Sequence, residues 1–400
     1  MQKTILVIGA GWEQYALIEK IKREGHKVIA THPSLDAEAF QLADVTYVKQ
    51  SRDVRAHLKI AETYNIDAVI SDNCDYSLYT SSVVAAKLKL PFASIQSALF
   101  SNDKYSQRIA CQNHGILQPE FCVVRTLKDA IQAANKISYP VVIKPVDSRG
   151  TFGVTIAKNQ NELVEAYFEA ITHSPSLTLI CERFIEGELV TVDGFCFSNG
   201  HKSLTVASRE FETGAKPVTK RVTYPSFHNA ELKSKLLNNH QKVVDALGYS
   251  FGHTHGEYFI TNNHEIFLVE CANRGAGVYT SSTINPLLTK VDLNGIYLNQ
   301  CLGIDTFKID HDLVDNMSCA ATLTFLDFKV GKVIKSINVS EVRELPFVKQ
   351  FRTIYTEKQM VESIENCAGR HAMLVVEGRN MEELEGNLSI VKTTLKVEYY

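Results

Sequence analysis

The chain has 400 residues, 45% hydrophobic and 22% charged, a globular balance that excludes disorder, collagen and coiled coil as explanations for most of it. Its 42 basic and 45 acidic side chains leave a formal charge of −3, without the basic excess of a nucleic-acid binder. No apolar run reaches the ~18 residues that span a bilayer, and the N-terminal MQKTILVIGAG does not read as a signal peptide, so neither membrane nor export is expected.

Ile5-Leu6-Val7-Ile8 is a short apolar run, as for a strand buried on both faces of a parallel sheet. Gly9-Ala10-Gly11 turns the chain into a helix over 13–24 that Gly25 ends. Strands at 27–30 and 68–71 and helices at 53–64 and 77–89 continue a βαβ series, which predicts a doubly wound α/β domain. A second unit starts near Lys104. It holds a helix over 127–137 opened by a Thr126/Asp129 capping pair, a strand at 140–145, a loop at 147–153, a helix over 162–172 and a strand at 177–182. A third unit, about 188 to 310, carries strands, a helix over 230–247 and a hairpin over 256–271. The tail, about 315–400, mixes strands with a helix from Asn380 and reads as a small α+β module. The basic stretch Lys216 to Arg221 reads as a loop that could close over substrate or simply be solvated.

Nine cysteines, an odd number with no C-x-x-C pair, read as reduced thiols in a cytoplasmic protein. The N-terminal glycine turn departs from the dinucleotide fingerprint. Gln14 stands where the third glycine belongs, and Thr31-His32 stand where a ribose-binding acid belongs.

The most informative stretch is Gly256 to Glu270. A two-residue turn at Asn263-His264 would pair Ile260 with Phe267 and Glu257 with Glu270, and put Glu257, Phe259, Leu268, Ile266 and Glu270 on one face. Two opposed carboxylates repel, and a divalent cation between them reverses the sign. Oxygen ligands suit Mg²⁺, which completes its shell with water and phosphate oxygens. A solvent-facing hairpin with unrelated glutamates, or a slipped register, is the competing reading.

Upstream, Lys144 ends an apolar strand and needs an anionic partner or a route to water. The loop Ser148-Arg149-Gly150-Thr151-Phe152-Gly153 lets backbone N–H groups approach phosphate, but lacks the closing G-K-[ST] of a Walker A loop. Glu182-Arg183-Phe184-Ile185-Glu186-Gly187-Glu188 could form a hinge, its backbone pairing with a base edge and Glu188 with ribose. Arg274, four residues after Glu270, is placed to clamp an oxyanion.

Taken in order, Ser101-Asn102-Asp103-Lys104, Tyr139 to Pro145, the 148–153 loop, Glu182 to Glu188, Glu257 and Phe267 to Arg274 resemble the ATP-grasp superfamily over nearly the whole chain. The fold this resemblance implies is a doubly wound N-terminal α/β domain (1–103), a small lid subdomain (104–187), a central domain with the metal site (188–312) and a C-terminal α+β module (313–400). By resemblance, Lys104 and Lys144 bind ATP phosphates, and Ser148, Gly150, Thr151 and Gly153 belong to the lid. Glu182, Arg183, Phe184 and Ile185 line the adenine site, and Glu188 holds the ribose. Glu257 and Glu270 hold Mg²⁺ or Mn²⁺, and Arg274 steadies the substrate. Ala272 stands where many members have a metal-binding Asn, and the adjacent Asn273 is not expected to replace it.

Gly252 to Glu257 and the C-terminal module are similar to the carboxylate–amine ligases of the amino-acid ligase or purine-biosynthesis type. The implied activity joins a small carboxylate to an amine through an acyl phosphate, with ADP and phosphate released. Homodimers are common among such relatives. A ligase acting on a ribonucleotide, a nucleotide-binding protein without catalysis and an oxidoreductase using the Gly9/Gly11 turn are the alternatives.

Overall fold

The computed structural model describes residues 1–148, 150–211, 218–304, 319–364 and 369–400. At the N-terminus β1 (Thr4–Ile8), β2 (Lys27–His32), β3 (Val45–Val48) and β4 (Ala68–Ile70) form a parallel sheet in the order β3-β2-β1-β4. Helix α1 (Tyr15–Arg23) covers Ile5 and Val7 on one face. Helices α2 (Val54–Tyr64) and α3 (Asp75–Leu88) cover Leu6 and Ile8 on the other. Burial on both faces explains why β1 is apolar from Ile5 to Ile8.

Two short helices missing from the sequence reading, α4 (Ile95–Asn102) and α5 (Lys104–Asn113), lead out of this domain. Asp103 caps α5 by accepting from Ser106 N at 2.7 Å, so Lys104 stands in the first turn of a helix. An antiparallel sheet follows, built from β5 (Phe121–Val124), β6 (Val141–Pro145), β7 (Thr155–Ala157) and β8 (Leu179–Arg183) in the order β5-β8-β6-β7. Helices α6 (Leu127–Ile137) and α7 (Gln160–Thr172) pack on it, and α6 opens with the expected Thr126/Asp129 capping box.

The largest sheet has eight antiparallel strands. Its first five are β9 (Glu188–Phe197), β10 (Gly200–Phe211), β11 (Thr219–Tyr224), β12 (Gly252–Ile260) and β13 (Ile266–Ala272). Helix α8 (Ala230–Leu247) covers one face, while α9 (Asn285–Thr289) and α10 (Leu293–Cys301) follow the sheet, α10 packing back on the N-terminal domain. The C-terminal elements are β14 (Ala320–Leu326), β15 (Ile334–Ile337), α11 (Val339–Arg343), β16 (Val348–Thr353), β17 (Ala372–Gly378), α12 (Met381–Thr394) and β18 (Val397–Tyr399). The order β13-β12-β9-β10-β11-β14-β17-β16 shows that β14, β17 and β16 extend the central sheet, while β15 and β18 pair separately. The four-part division at 103, 187 and 312 stands as our proposal, with its last two parts sharing this sheet.

Two local expectations are corrected. Thr219 to Arg221 are not a loop: they begin β11, paired with β10 and β14, while Lys216 and Pro217 lie outside the described residues. The hairpin register is also different at its tip. Ile260 pairs with Ile266 and Phe259 with Phe267, so the connection spans 261–265 and the residue with positive φ is His264, at 59°. A bulge at Val269 then absorbs one residue, and Glu257 does face Glu270. Because the bulge resets the alternation, Leu268 packs with Tyr258 under α8, on the face away from Glu257.

That far face carries a polar chain running from exposed Asp245 to buried His240 and Tyr258. Gln241 donates from Nε2 to Asp245 (2.9 Å), which turns its Oε1 to His201 Nδ1 (2.8 Å). His201 therefore donates through Nδ1, and its bare Nε2 accepts from the Thr254 hydroxyl at 2.9 Å. Thr254 in turn accepts from His240 Nε2 (3.0 Å), and His240 Nδ1 accepts from Tyr258 OH (2.7 Å). Every member is satisfied with both imidazoles neutral. Burial pushes His201 down to about 4 and holds His240 well below the usual histidine value.

Candidate active site

Helix α5, strand β6 and strand β8 converge on Glu182. Its Oε1 accepts from Arg108 Nε at 2.8 Å, and its Oε2 pairs with Lys144 Nζ at 2.7 Å, all three being buried. Burial alone would raise the Glu182 pKa, but the two cations hold it down at about 2. Burial, offset only in part by Glu182, keeps Lys144 below its ordinary value. Arg108 also donates to Val269 O at 2.7 Å, which ties this triad to the bulge opposite Glu257. The sequence reading passed over Arg108, because a single arginine in an unrecognised helix carries no pattern of its own.

One cleft is lined by Asp75, Lys104, Ser148, Gly150, Glu270 and Arg274, among others. Lys104 donates to Ser148 O at 2.9 Å and pairs with Glu270 at 3.3 Å. Burial works against the Lys104 charge, but Glu270 and Asp75 outweigh it and raise its pKa. Arg274 is held by Asp75 at the start of α3. The loop reaches the N-terminal domain as well: Tyr76 OH and Arg52 Nη2 both donate to Asp147 O, at 3.2 and 3.3 Å. Thr151 and Gly153 lie farther along it, and Arg149 is outside the described residues. Gly153 is wedged so tightly that a Cβ there would come within 3.1 Å of Ala170 Cα.

Glu257 sits one strand over from Glu270, and β10 supplies a residue the sequence did not suggest. Arg209 Nη1 pairs with Glu257 at 2.9 Å. On the other side His255 approaches Glu257 at 3.7 Å through Nε2 and holds Asp193 at 2.8 Å through Nδ1. Burial opposes the charge on His255, yet Asp193 and Glu257 push its pKa up to about 9. Burial likewise opposes ionisation of Glu257, and Arg209 and His255 reverse this to well below the usual carboxylate range.

At the hinge, Arg183 N donates to Glu120 O (2.8 Å) and Phe184 N to Pro140 O (3.2 Å), so these two donors already have partners. Ile185 is half-buried, and Glu188 is exposed at the start of β9, 3.4 Å from His228. Gly187 is dictated by close approach, since a Cβ there would lie 2.6 Å from Ile260 O. Asn273 turns its Nδ2 to the carbonyls of Phe251 (2.6 Å) and His253 (3.0 Å), fixing the end of β13. At the N-terminal turn Gln14 fills the third-glycine space, accepting from Gly11 N and donating to Asp72 O, both at 3.0 Å. Its neighbour Glu13 accepts from Val278 N at 3.1 Å, so the turn docks the segment after Arg274.

A family model described as "ATP-grasp domain" matches residues 137–282, the span from the strand of Lys144 to beyond Arg274. The chain carries an ATP-grasp domain. Alanine–anticapsin ligase from Bacillus subtilis (strain 168) is 26% identical over 244 residues, 55% of this chain and 51% of that protein. The chain thus spans about half the length of the alanine–anticapsin ligases it matches. The formate-dependent phosphoribosylglycinamide formyltransferase of Wolinella succinogenes is 29% identical over 302 residues, covering 70% of this chain and 73% of that one. Among solved structures, an L-amino acid ligase from Bacillus licheniformis superposes with a TM-score of 0.86 at 18% identity, over 100% of this chain and 99% of that one. At that identity the likeness speaks for the fold, a mixed α/β architecture shared by ATP-grasp proteins.

Proposed function

We propose that this chain is an ATP-dependent ligase joining a carboxylate to an amine, with release of ADP and phosphate. The observation that carries the reading is the opposed pair Glu257 and Glu270, brought into register by the Val269 bulge, with Lys104 and Arg274 in the cleft beside Glu270. Among the described residues no group of three His, Cys, Asp or Glu side chains is arranged to hold a metal. Two carboxylates still suit Mg²⁺ or Mn²⁺, which take remaining ligands from water and phosphate. The donor set fits, since both groups are carboxylates facing one another, each now paired with a cation. When bound, the ion would offset charge on the transferring phosphoryl group.

In this reading Lys104 and Lys144 hold ATP phosphates, and the 148–153 loop covers them and excludes water. Glu182 orients Lys144 while Phe184 and Ile185 flank the adenine, and Glu188 reaches the ribose. The substrate carboxylate attacks the γ-phosphorus and ADP leaves, giving an acyl phosphate. The amine nitrogen then attacks the acyl carbon, phosphate departs with the C–O bond electrons, and the nitrogen gives up a proton. Arg274 stabilises the oxyanion of both steps. Eight cysteines among the described residues are free thiols, and no helix there is long and apolar enough to cross a membrane. Both facts support a cytoplasmic enzyme.

The relative from Wolinella favours a second reading, a purine-pathway ligase acting on a ribonucleotide. Among the described residues the N-terminal wall of the cleft lines it with Asp75, Tyr76, Ser101 and Asn102, and its Arg52 is engaged with Asp147 O at the rim, a poor match to a ribonucleotide phosphate. The test is ADP release with Mg·ATP across pairs of amino acids and small carboxylates. ADP should appear only when a carboxylate and an amine are both present. Release driven by bicarbonate, or by a ribonucleotide amine alone, would overturn the assignment.

A further inference from the structure

Arg274 and Asp75 meet across the cleft in a two-pronged pair. Arg274 Nε donates to Asp75 Oδ1 at 2.8 Å and Nη2 to Oδ2 at 3.2 Å, while Nη1 donates to Gly275 O at 3.1 Å. Both side chains are about seven-eighths buried, with exposures of 14% and 13%. Asp75 is the first residue of α3, a 14-residue helix whose N-cap, Cys74, makes no side-chain bond to it, so the helix dipole favours an anion there. A second cross-cleft pair, Lys104 and Glu270, stands beside the first. The four charges cancel, two contributed by the end of β13 and its following turn and two by α3 and α5.

Each member of that quartet except Asp75 has a role in the reaction above. Yet Asp75 presents to Arg274 the same group, in the same fork-to-fork geometry, that a substrate carboxylate would present. An arginine this desolvated does not give up one carboxylate except to another anion, and the carboxylate it gives up needs a new partner in turn.

We propose that Asp75 is a resident stand-in for the substrate's carboxylate at Arg274, and that on exchange its freed carboxylate becomes the specificity-determining acceptor for the amine substrate. Naming the two substrates rests on the ligase reading; the exchange at Arg274 does not. The device makes the amine site depend on the first site being filled. It also selects a nucleophile with several N–H donors over a phosphorylated one, because Asp75 repels phosphate.

The exchange is tested with inorganic phosphate as the oxyanion probe, by titration calorimetry at fixed ionic strength and without nucleotide. Asp75→Asn, which keeps the shape and removes the charge, should bind phosphate at least 5-fold more tightly than the parent. The gain should vanish in Asp75→Asn/Arg274→Gln, which separates this site from phosphate held by Lys104 or Lys144. Asp75→Glu, with its charge intact, should return phosphate affinity toward that of the parent. Unchanged or weaker phosphate binding in Asp75→Asn would overturn the exchange, as would a gain that survives in the double variant. If Asp75→Asn does not fold, Asp75→Glu carries the test, and binding tighter than the parent would overturn it. In steady-state assays Asp75→Asn should lower KM for the carboxylate and raise KM for the amine at least 10-fold, with Asp75→Glu restoring the latter. A purely structural Asp75 would move both KM values the same way, which would refute the specificity role. Failure of the parent to release ADP with any pair would sink the ligase reading and leave the phosphate result standing.

Discussion

The two faces of β12 drive His201 and His255 in opposite directions, although His253, which shares the face of His255, is also held down by burial. On one, Thr254 and Tyr258 join His201 and His240 in a neutral chain, and burial drives His201 to about 4. On the other, one residue along, His255 is just as enclosed yet rises to about 9, because Asp193 and Glu257 flank it. Burial alone expels charge from an imidazole, and an acid at contact distance reverses the sign. The face toward α8 is thus built to be neutral and rigid. The face that carries Glu257 keeps opposite charges in contact.

The sharpest way to break this contrast is Glu270→Ala on the charged face. ADP formation should fall by roughly 100-fold or more, with the thermal midpoint little changed, since Glu270 is one-third exposed. ADP release at the parent rate would reject the charged-face assignment.

The neutral face should instead answer to pH. His201 takes a proton at an ordinary 6.5 when unfolded but only at about 4 when folded. Its contribution is therefore complete above 6.5 and is lost as pH falls toward 4, by at most about 3 kcal/mol. Glu182 titrates lower, from an ordinary 4.5 to about 2, so a stability profile loses the two contributions one after the other, overlapping only near pH 4. A profile flat between pH 6.5 and 4 would contradict the neutral-chain geometry.

The smallest effect belongs to Thr254→Val. It removes the hydroxyl that both imidazoles share and should cost about 1–3 kcal/mol in denaturant unfolding, with ADP formation preserved. A comparable loss of activity would show that the two faces are not separable.

Much of this was legible in sequence wherever a local rule has a local signature. The Thr126/Asp129 box sets the start of α6, and Asn380 caps α12 at Glu383 N as its spacing suggests. The facing of Glu257 and Glu270 was readable for a less secure reason. A two-residue turn and a five-residue connection with a bulge give the same pairing at that point, and only the structure distinguishes them. Short strands such as β3, β5 and β7 escaped notice because three or four residues hold too little periodicity. Arg108, Arg209 and Asp75 escaped for another reason. Each is an isolated charge whose meaning lies in a partner 74, 48 or 199 positions away, which no window along the chain can register.

The continuity of the eight-stranded sheet bears on any attempt to recombine this protein with its relatives. Cutting the chain ahead of Ala320 would strip β14 from β11 and leave Thr219–Tyr224 with a bare row of amide and carbonyl groups, an invitation to self-association. A chimaera that exchanges the C-terminal portion therefore has to match the Arg221–Thr324 to Tyr224–Ala321 seam, side chain by side chain, or bring its own β11 with it.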